Sequence, residues 1–289
     1  MGAPSKRQFP GEPPRLRIGD DLPIRAAAGV TLMAVALGVA WIGGFPFLAF
    51  WLLASAGVLW EWQRLVGGDR EGARVDAGVL ALVVASPFAL NGAAADSVAV
   101  LCAGAMLTGL LADPSRRIWA GAGVLYAGAL VVGLALLRAS PAYGLPAILW
   151  LFAVVWGTDV AAYFGGRLIG GPKLWPSVSP GKTWSGALTG LFLGALLGAL
   201  LAVAAAPPGV RWAPMLAVGV LVSAVSQLGD LFESAMKRRA GVKDSGHLIP
   251  GHGGLMDRLD AFVAATAITA ALAGARSSGS WIAPGLFQW

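Results

Sequence analysis

Long apolar runs recur along nearly the whole sequence, and they constrain the fold more than any other feature. Of the 289 residues, 57% are hydrophobic and only 12% are charged. A membrane-spanning helix needs about 20 mostly apolar residues, and these runs are too long and too uniformly apolar to be barrel strands. We therefore predict an all-α integral membrane protein, a polytopic bundle of about nine transmembrane helices. The predicted spans are 24–43, 46–65, 75–90, 96–112, 118–137, 145–165, 185–206, 212–236 and 254–275.

The distribution of cations predicts the orientation of this bundle. Cytoplasmic loops of membrane proteins carry an excess of Lys and Arg. If the N-terminus is cytoplasmic, all but three of the 21 Lys and Arg residues fall on that side, the exceptions being Arg138, Arg211 and Arg276. The chain then divides into a disordered cytoplasmic tail (1–23), N-terminal transmembrane helices (24–140) and a C-terminal catalytic region (141–289). The single cysteine excludes a disulfide framework.

Charged residues are concentrated between Ser234 and Asp260. This stretch holds five Lys or Arg, three Asp and both histidines of the protein. It begins as the end of a helix whose one face carries Ser226, Asp230, Ser234 and Lys237 at spacings of four, four and three. It continues as a Gly-rich loop and then starts a new helix. The two helix ends and the loop are therefore expected to converge on one site.

The residue types in this stretch indicate a metal and a phosphate ligand. Clustered carboxylates repel one another unless a cation lies among them, and hard oxygen ligands favour Mg²⁺. Lysines beside such a cluster require an anion, for which phosphate is suited. The alternative is a solvated membrane-surface loop whose charges follow topology alone. The predicted cluster contains Asp230, Asp244, Asp257, Asp260, Lys237 and Lys243.

A second group of polar residues lies between positions 159 and 183. Asp159, Tyr163 and Arg167 are each four apart and share a helix face near the cytoplasmic end of the sixth span. An acid at that depth is costly, so Asp159 needs a partner, either a hydrogen bond to Tyr163 or a neighbouring helix, or a bound ion. Glu61, at the inner end of the second span, is interpreted as an interfacial charge paired with Arg64.

The two regions together resemble the phosphatidate cytidylyltransferase (CDP-diacylglycerol synthase) family. The region between positions 159 and 183 is similar to that family's Asp-x3-Tyr-x-x-Gly-Arg and Ser-Pro-x-Lys-Thr motifs, and it departs from the usual pattern at Gly181, where a second lysine is common. The resemblance is strongest over 145–275. The family's long signature falls on Ser234, Lys237, Arg238, Lys243, Asp244, Gly246, Ile249, Pro250, His252, Gly253, Gly254, Leu255, Asp257, Arg258, Leu259 and Asp260.

The resemblance implies transfer of a cytidylyl group from CTP to phosphatidate on the cytoplasmic side of the membrane. It implies Mg²⁺, with room for a second cation, held by Asp230, Asp257, Asp244 and Asp260. Catalytic roles are implied for Lys237, Lys243, Asp244, Asp257 and Asp260. Substrate contacts are implied for Asp159, Tyr163, Ser179, Lys182, Thr183, Ser226, Ser234, Arg238, His252, Gly253, Gly254 and Arg258.

Other interpretations stay open at this point. A CTP-dependent lipid-alcohol kinase would work in the same setting, and a cation-coupled transporter would also carry acids in its helices. No nucleic-acid partner is predicted; the partners are CTP, phosphatidate and membrane lipid. Gly190, Gly194 and Gly198 share one helix face, which fits packing within the bundle or a homodimer contact.

Overall fold

The protein is a bundle of long helices, described here from a computed structural model. The structure describes residues 22–246 and 253–289, with side chains from residue 29 onward. The predicted tail, 1–23, therefore lies almost wholly outside the described residues. The helices are α1 (Leu22–Ile42), α2 (Gly44–Val66), α3 (Glu71–Leu90), α4 (Ala94–Leu111), α5 (Arg117–Arg138), α6 (Gly144–Leu168), α7 (Trp184–Ala205), α8 (Trp212–Arg239), α9 (Met256–Arg276) and α10 (Ala283–Phe287).

The all-α polytopic prediction is confirmed. Within the described residues, eight helices, α2 to α9, are long and apolar enough to cross a membrane. The apolar part of α1 over which side chains are described, Gly29–Ile42, is shorter. A count of nine spans therefore stays a prediction. Every predicted span agrees with a helix to within about four residues.

The largest boundary difference is at the start of α3, which begins at Glu71 rather than at 75. Arg74 explains it. A charge normally ends an apolar run, but the Arg74 side chain is fully buried and donates a hydrogen bond to the Gly67 carbonyl at 2.8 Å. The guanidinium thus donates to a carbonyl just beyond the end of α2. Because this bond offsets part of the cost of burying Arg74, α3 can include Arg74 and begin earlier than hydropathy indicates.

Helix α5 forms the centre of the bundle. Of its 18 most apolar consecutive residues, 78% are buried, and the helix lies against α2, α3, α4 and α9. Small residues allow this close approach: a Cβ atom added at Gly121 would lie 2.7 Å from the Ala105 carbonyl oxygen of α4. The C-terminal half of α2 is joined to α5 by Trp62 and Gln63, which donate to the Trp119 and Ala120 carbonyls at 2.8 Å each.

Helices α6 and α7 pack closely through the glycines singled out in the sequence. A Cβ at Gly190 would lie 2.7 Å from the Thr158 carbonyl oxygen, and one at Gly194 would lie 2.8 Å from the Val154 carbonyl oxygen. The shared face of Gly190, Gly194 and Gly198 is therefore used inside the chain. It gives no separate support for a homodimer.

The connection between α6 and α7 is more regular than the loop expected from the sequence. It contains a two-stranded antiparallel hairpin, β1 (Lys173–Trp175) and β2 (Ser179–Thr183). Lys173 pairs with Thr183, and Trp175 pairs with Ser179. Thr183 then caps α7, accepting a hydrogen bond from the Gly186 N–H at 3.2 Å. The hairpin thereby fixes Lys182 beside the ends of α6 and α8.

Candidate active site

A cavity of about 820 Å³ opens at one end of the bundle. It lies between the C-terminal ends of α6 and α8, the N-terminal ends of α7 and α9, and β2. Half of the predicted site residues, nine of eighteen, converge here from these elements. Its charged lining residues are Asp159, Arg167, Lys182, Asp230, Glu233, Lys237, Asp257, Arg258 and Asp260.

The tightest charge cluster in the cavity joins α8 to α9 through Lys237. Its Nζ atom lies 2.6 Å from Glu233 Oε2 and 2.6 Å from Asp257 Oδ1. All three side chains are largely buried, with exposures of 13% for Lys237, 1% for Glu233 and 10% for Asp257. A buried charge needs such pairing to be tolerated. The ammonium position is therefore set by two carboxylates.

Glu233 was not among the residues that the sequence analysis selected. Its spacing of four from Lys237 on one helix was an available signal, because i, i+4 acid and base pairs contact each other. Glu233 was not selected because it follows an apolar run and belongs to none of the motifs, the nearest of which begins at Ser234. The structure makes it the buried partner of Lys237.

Asp257 also holds the Gly-rich loop. Its carboxylate accepts hydrogen bonds from the backbone N–H of Gly254 at 2.8 Å and of Ser245 at 3.1 Å. Gly253 adopts a positive φ of 81°, and a Cβ there would lie 3.0 Å from Asp257 Oδ2. A glycine is required for this approach of backbone to carboxylate.

A second acid, Glu61, holds the same loop from the opposite side. Its carboxylate accepts hydrogen bonds from Ser245 Oγ at 2.9 Å, from the Leu255 N–H at 2.9 Å and from the Met256 N–H at 2.7 Å. Two of these are free N–H groups at the start of α9, which favour an anion. Glu61 and Asp257 thus anchor both ends of the segment 247–252, which lies outside the described residues.

The interpretation of Glu61 as an interfacial charge paired with Arg64 is wrong. Glu61 is fully buried, and no ion pair joins these two described side chains. The Arg64 guanidinium instead lies 4.8 Å from the centre of the Trp60 ring. Residues 61 and 64 are neighbours on the helix surface, but the Glu61 carboxylate is taken up by its hydrogen bonds with Ser245, Leu255 and Met256.

Lys182 and Asp230 form the second ion pair of the cavity. The Lys182 Nζ lies 2.5 Å from Asp230 Oδ2, and both side chains are about one third exposed, 28% and 33%. Ser234 Oγ donates to Asp230 Oδ1 at a longer 3.5 Å. This pair therefore joins the hairpin to α8, and it faces the open part of the cavity.

Asp159 and Asp260 lie in the same cavity. The Asp260 carboxylate is nearly buried and accepts from the Ala261 N–H at 2.8 Å. No hydrogen bond or ion pair among residues 29–246 and 253–289 involves Asp159, which faces the cavity. The hydrogen bond to Tyr163, one of the alternatives left open by the sequence, is absent; the Tyr163 hydroxyl accepts a hydrogen bond from Arg167 at 2.8 Å.

Several predicted site residues lie outside the cavity lining. Lys243 and Asp244 are exposed on the loop, and Asp244 lies beside Gly253. Arg238 is exposed at the end of α8, and Ser226 is buried, donating to the Ser223 carbonyl at 2.8 Å. His252 lies outside the described residues, as does His247. Ser179 is in the hairpin.

Oxygen donors suited to Mg²⁺ are present, although they do not form a completed ligand set. Among the described residues, no three His, Cys, Asp or Glu side chains are close enough together to hold a metal ion. Asp159, Asp230 and Asp260 nevertheless face one cavity, and their like charges act on one another. These carboxylates are the hard donors that Mg²⁺ prefers. The donor chemistry fits the ion, and the separation of the acids leaves space between them.

Comparison with known proteins places this arrangement in a family. The model of the cytidylyltransferase family matches residues 23–275. Phosphatidate cytidylyltransferase from Brucella suis is 41% identical over 250 residues, which cover 86% of this chain and 92% of that protein. The enzyme of the same name from Pseudomonas aeruginosa is 38% identical over 269 residues, 89% of this chain and 98% of that protein.

The similarity extends well beyond the signature motifs. It reaches back through the first five helices, further than the region 145–275 to which the sequence motifs pointed. A shorter match, to phosphatidate cytidylyltransferase from Bacillus subtilis, is 42% identical over 121 residues, 42% of this chain and 45% of that protein. On the extent of these matches, the chain belongs to the cytidylyltransferase family.

Proposed function

We propose that this chain transfers the cytidylyl group of CTP to phosphatidate, giving CDP-diacylglycerol and pyrophosphate. The observation that carries the proposal is the cavity, in which cations from β2, α8 and α9 stand beside carboxylates from α6, α8 and α9. Such a site matches a reaction between two polyanions. The names of the relatives, which share most of this chain's length, support the same substrates.

The reaction needs positioning and charge neutralisation more than a strong base. A phosphomonoester carries between one and two negative charges at pH 7, so an oxygen of phosphatidate can attack the α-phosphorus of CTP directly. That oxygen forms the new phosphoanhydride bond, and the bond to the β-phosphate oxygen breaks, releasing pyrophosphate. The protein must hold the two phosphates in line and offset their repulsion.

Two lysines are assigned different parts in this step. Lys182 is 28% exposed, and among the described residues it is held only by Asp230, so it can exchange this partner for a phosphate oxygen. Lys237 is buried between Glu233 and Asp257 and supplies a fixed positive charge on the cavity wall. Arg258 and Arg167 extend the cationic lining.

Mg²⁺ would be held by Asp230 and Asp260, with Asp159 facing them across the cavity. A bound ion of this kind neutralises triphosphate charge.

Asp257 already accepts hydrogen bonds from Lys237, Ser245 and Gly254, so its main contribution is to position the loop. Asp244 lies at the loop surface, next to Gly253.

Transfer is expected to require a divalent cation, because Asp159, Asp230 and Asp260 would otherwise face the triphosphate with Lys182 pairing only Asp230. Removing divalent ions with excess chelator should lower the rate to background, and Mg²⁺ or Mn²⁺ should restore it. The measurement is the initial rate in a detergent assay, with Ca²⁺ as a comparison ion. Full activity in excess chelator would contradict the proposed cation site.

We place the cavity on the cytoplasmic side of the membrane, where CTP is available and where the cation excess lies. Phosphatidate would enter from the adjacent leaflet with its acyl chains in lipid. A homodimer remains a prediction without support from the α6–α7 glycine face.

The orientation can be tested with single cysteines. In a background in which Cys102 is replaced by Ala, Lys243→Cys should react with a membrane-impermeant maleimide only from the cytoplasmic side. Arg211→Cys, exposed between α7 and α8, is the matched control and should react only from the opposite side. The reverse pattern would overturn the proposed orientation.

The position of the CTP label that enters lipid tests the reaction itself. With phosphatidate and α-labelled CTP, the product lipid should be labelled, whereas γ-labelled CTP should give labelled pyrophosphate and unlabelled lipid. A CTP-dependent lipid kinase would give the opposite result with a lipid-alcohol acceptor. Lipid labelled from the γ-position would therefore contradict cytidylyl transfer, and lipid unlabelled from either position would contradict both reactions.

A further inference from the structure

A second, smaller cavity lies outside the substrate site. Its volume is about 300 Å³, and it is formed by the C-terminal ends of α2 and α8 and by the residues that lead into α5. It shares no lining residue with the large cavity. Helix α8 separates the two, because Lys237 faces the large cavity while Met236 and Arg239 face the small one.

The polar lining of this small cavity is cationic. Arg239 lies over the Trp119 ring, with its guanidinium carbon 5.2 Å from the ring centre, and no carboxylate of residues 29–246 or 253–289 forms an ion pair with it. Arg116 is 42% exposed, and its only described ion pair, with Asp113, is long at 4.0 Å. Arg239 thus has no described carboxylate partner and Arg116 has only a long one, so both can bind an anion, and a planar guanidinium matches a phosphate group.

The remaining lining is apolar and lies at the end of the helices. It consists of Leu65, Val66, Trp119, Met236 and Ala240, with Ser115 as the one polar exception. Tryptophan at a helix end is typical of the membrane interface. Basic cavities between transmembrane helices at the cytoplasmic face bind phospholipid headgroups.

We propose that this cavity binds the phosphate of an anionic phospholipid between Arg116 and Arg239, with its glycerol portion against Leu65, Val66 and Met236. The site is separate from the cavity proposed for CTP and phosphatidate. Bound there, the lipid ties the start of α5 to the end of α8.

The position of the small cavity connects it to the active site. Leu65 lies one turn after Glu61 on α2, and Met236 is the neighbour of Lys237 on α8. Glu61 accepts hydrogen bonds from the Gly-rich loop and the start of α9, and Lys237 forms an ion pair with Asp257. A headgroup that immobilises these two helix ends stabilises that arrangement, so anionic lipid is expected to raise turnover. This consequence rests on the proposed function.

Binding can be tested without any assay of activity. The full-length protein in neutral detergent is titrated with dioctanoyl phosphatidylglycerol while its thermal unfolding is followed, because a ligand of the folded state raises the unfolding temperature. Arg116→Gln and Arg239→Gln should each weaken the apparent affinity about tenfold. Arg117→Gln is the matched control: it removes the same charge one residue away, is exposed, and does not line the cavity.

Other arms of the titration identify the site and the ligand. The shift should persist in Lys182→Gln, which alters the large cavity only, and it should be absent with dioctanoyl phosphatidylcholine, glycerol 1-phosphate or inorganic phosphate. Equal shifts in the wild type and all three arginine variants, or loss of the shift in Lys182→Gln, would overturn the proposed site. An equal shift with free phosphate would overturn the assignment to lipid.

The kinetic consequence is tested separately. In neutral micelles at fixed phosphatidate, added phosphatidylglycerol should raise kcat about fivefold in the wild type and in Arg117→Gln. Arg239→Gln should not respond. A response of equal size in all three proteins would overturn the coupling. Should the chain lack cytidylyl transfer altogether, the thermal titration would still decide the binding site, so the two proposals can fail independently.

Discussion

Asp257→Asn is expected to lower kcat for cytidylyl transfer about a thousandfold, at the upper end of what one electrostatic group contributes. The carboxylate accepts from Lys237 Nζ and from the Ser245 and Gly254 N–H groups. An amide has only one acceptor oxygen, so its NH₂ group would face another donor. The loop and the Lys237 ammonium would then lose their common anchor.

The protein should nevertheless fold, because Lys237 keeps its ion pair with Glu233 at 2.6 Å. The test measures kcat together with the thermal unfolding temperature in detergent. Asp69→Asn is the matched control, since Asp69 is exposed between α2 and α3 and touches no site residue. A near-normal rate for Asp257→Asn would show that this carboxylate is not needed.

Glu61→Ala is expected to have the second large effect. Glu61 is fully buried, and its removal would leave Ser245 Oγ and the N–H groups of Leu255 and Met256 without an acceptor. Each such buried donor costs about 1–3 kcal/mol. We expect a loss of at least about 3 kcal/mol in the free energy of unfolding and a fall in kcat of about a hundredfold.

Glu61→Gln should lie between Glu61→Ala and the wild type, because the amide oxygen can replace one acceptor but its NH₂ faces a donor. Local release of the loop should also speed tryptic cleavage after Lys243 at temperatures where the bundle stays folded. Arg64→Gln is the control: if Glu61 acted through an ion pair with Arg64, both substitutions would behave alike. Wild-type activity and cleavage in Glu61→Ala would refute the positioning role.

The periodic parts of this protein could be predicted from its sequence. Apolar runs, helix-breaking residues and the one-sided distribution of Lys and Arg are local or additive properties, so the helices and their bounds followed from them. The signature at 234–260 and the polar residues Asp159, Tyr163 and Arg167, spaced four apart, likewise identified the polar end of the bundle. In each case the physical signal is carried by neighbouring residues.

Tertiary packing decided which of these polar residues meet. Glu61 contacts Ser245 from 184 residues away, and no local pattern specifies such a pair. The hairpin that brings Lys182 to Asp230 depends on backbone pairing between two strands of three and five residues, which are too short to show an alternating apolar pattern. Glu233 became the buried partner of Lys237 only because α9 covers that face of α8, whereas Lys243 and Asp244 lie on the uncovered side of the loop. The sequence determined the helices and the chemistry available at one end of the bundle, and the burial produced by packing selected the side chains that form the site.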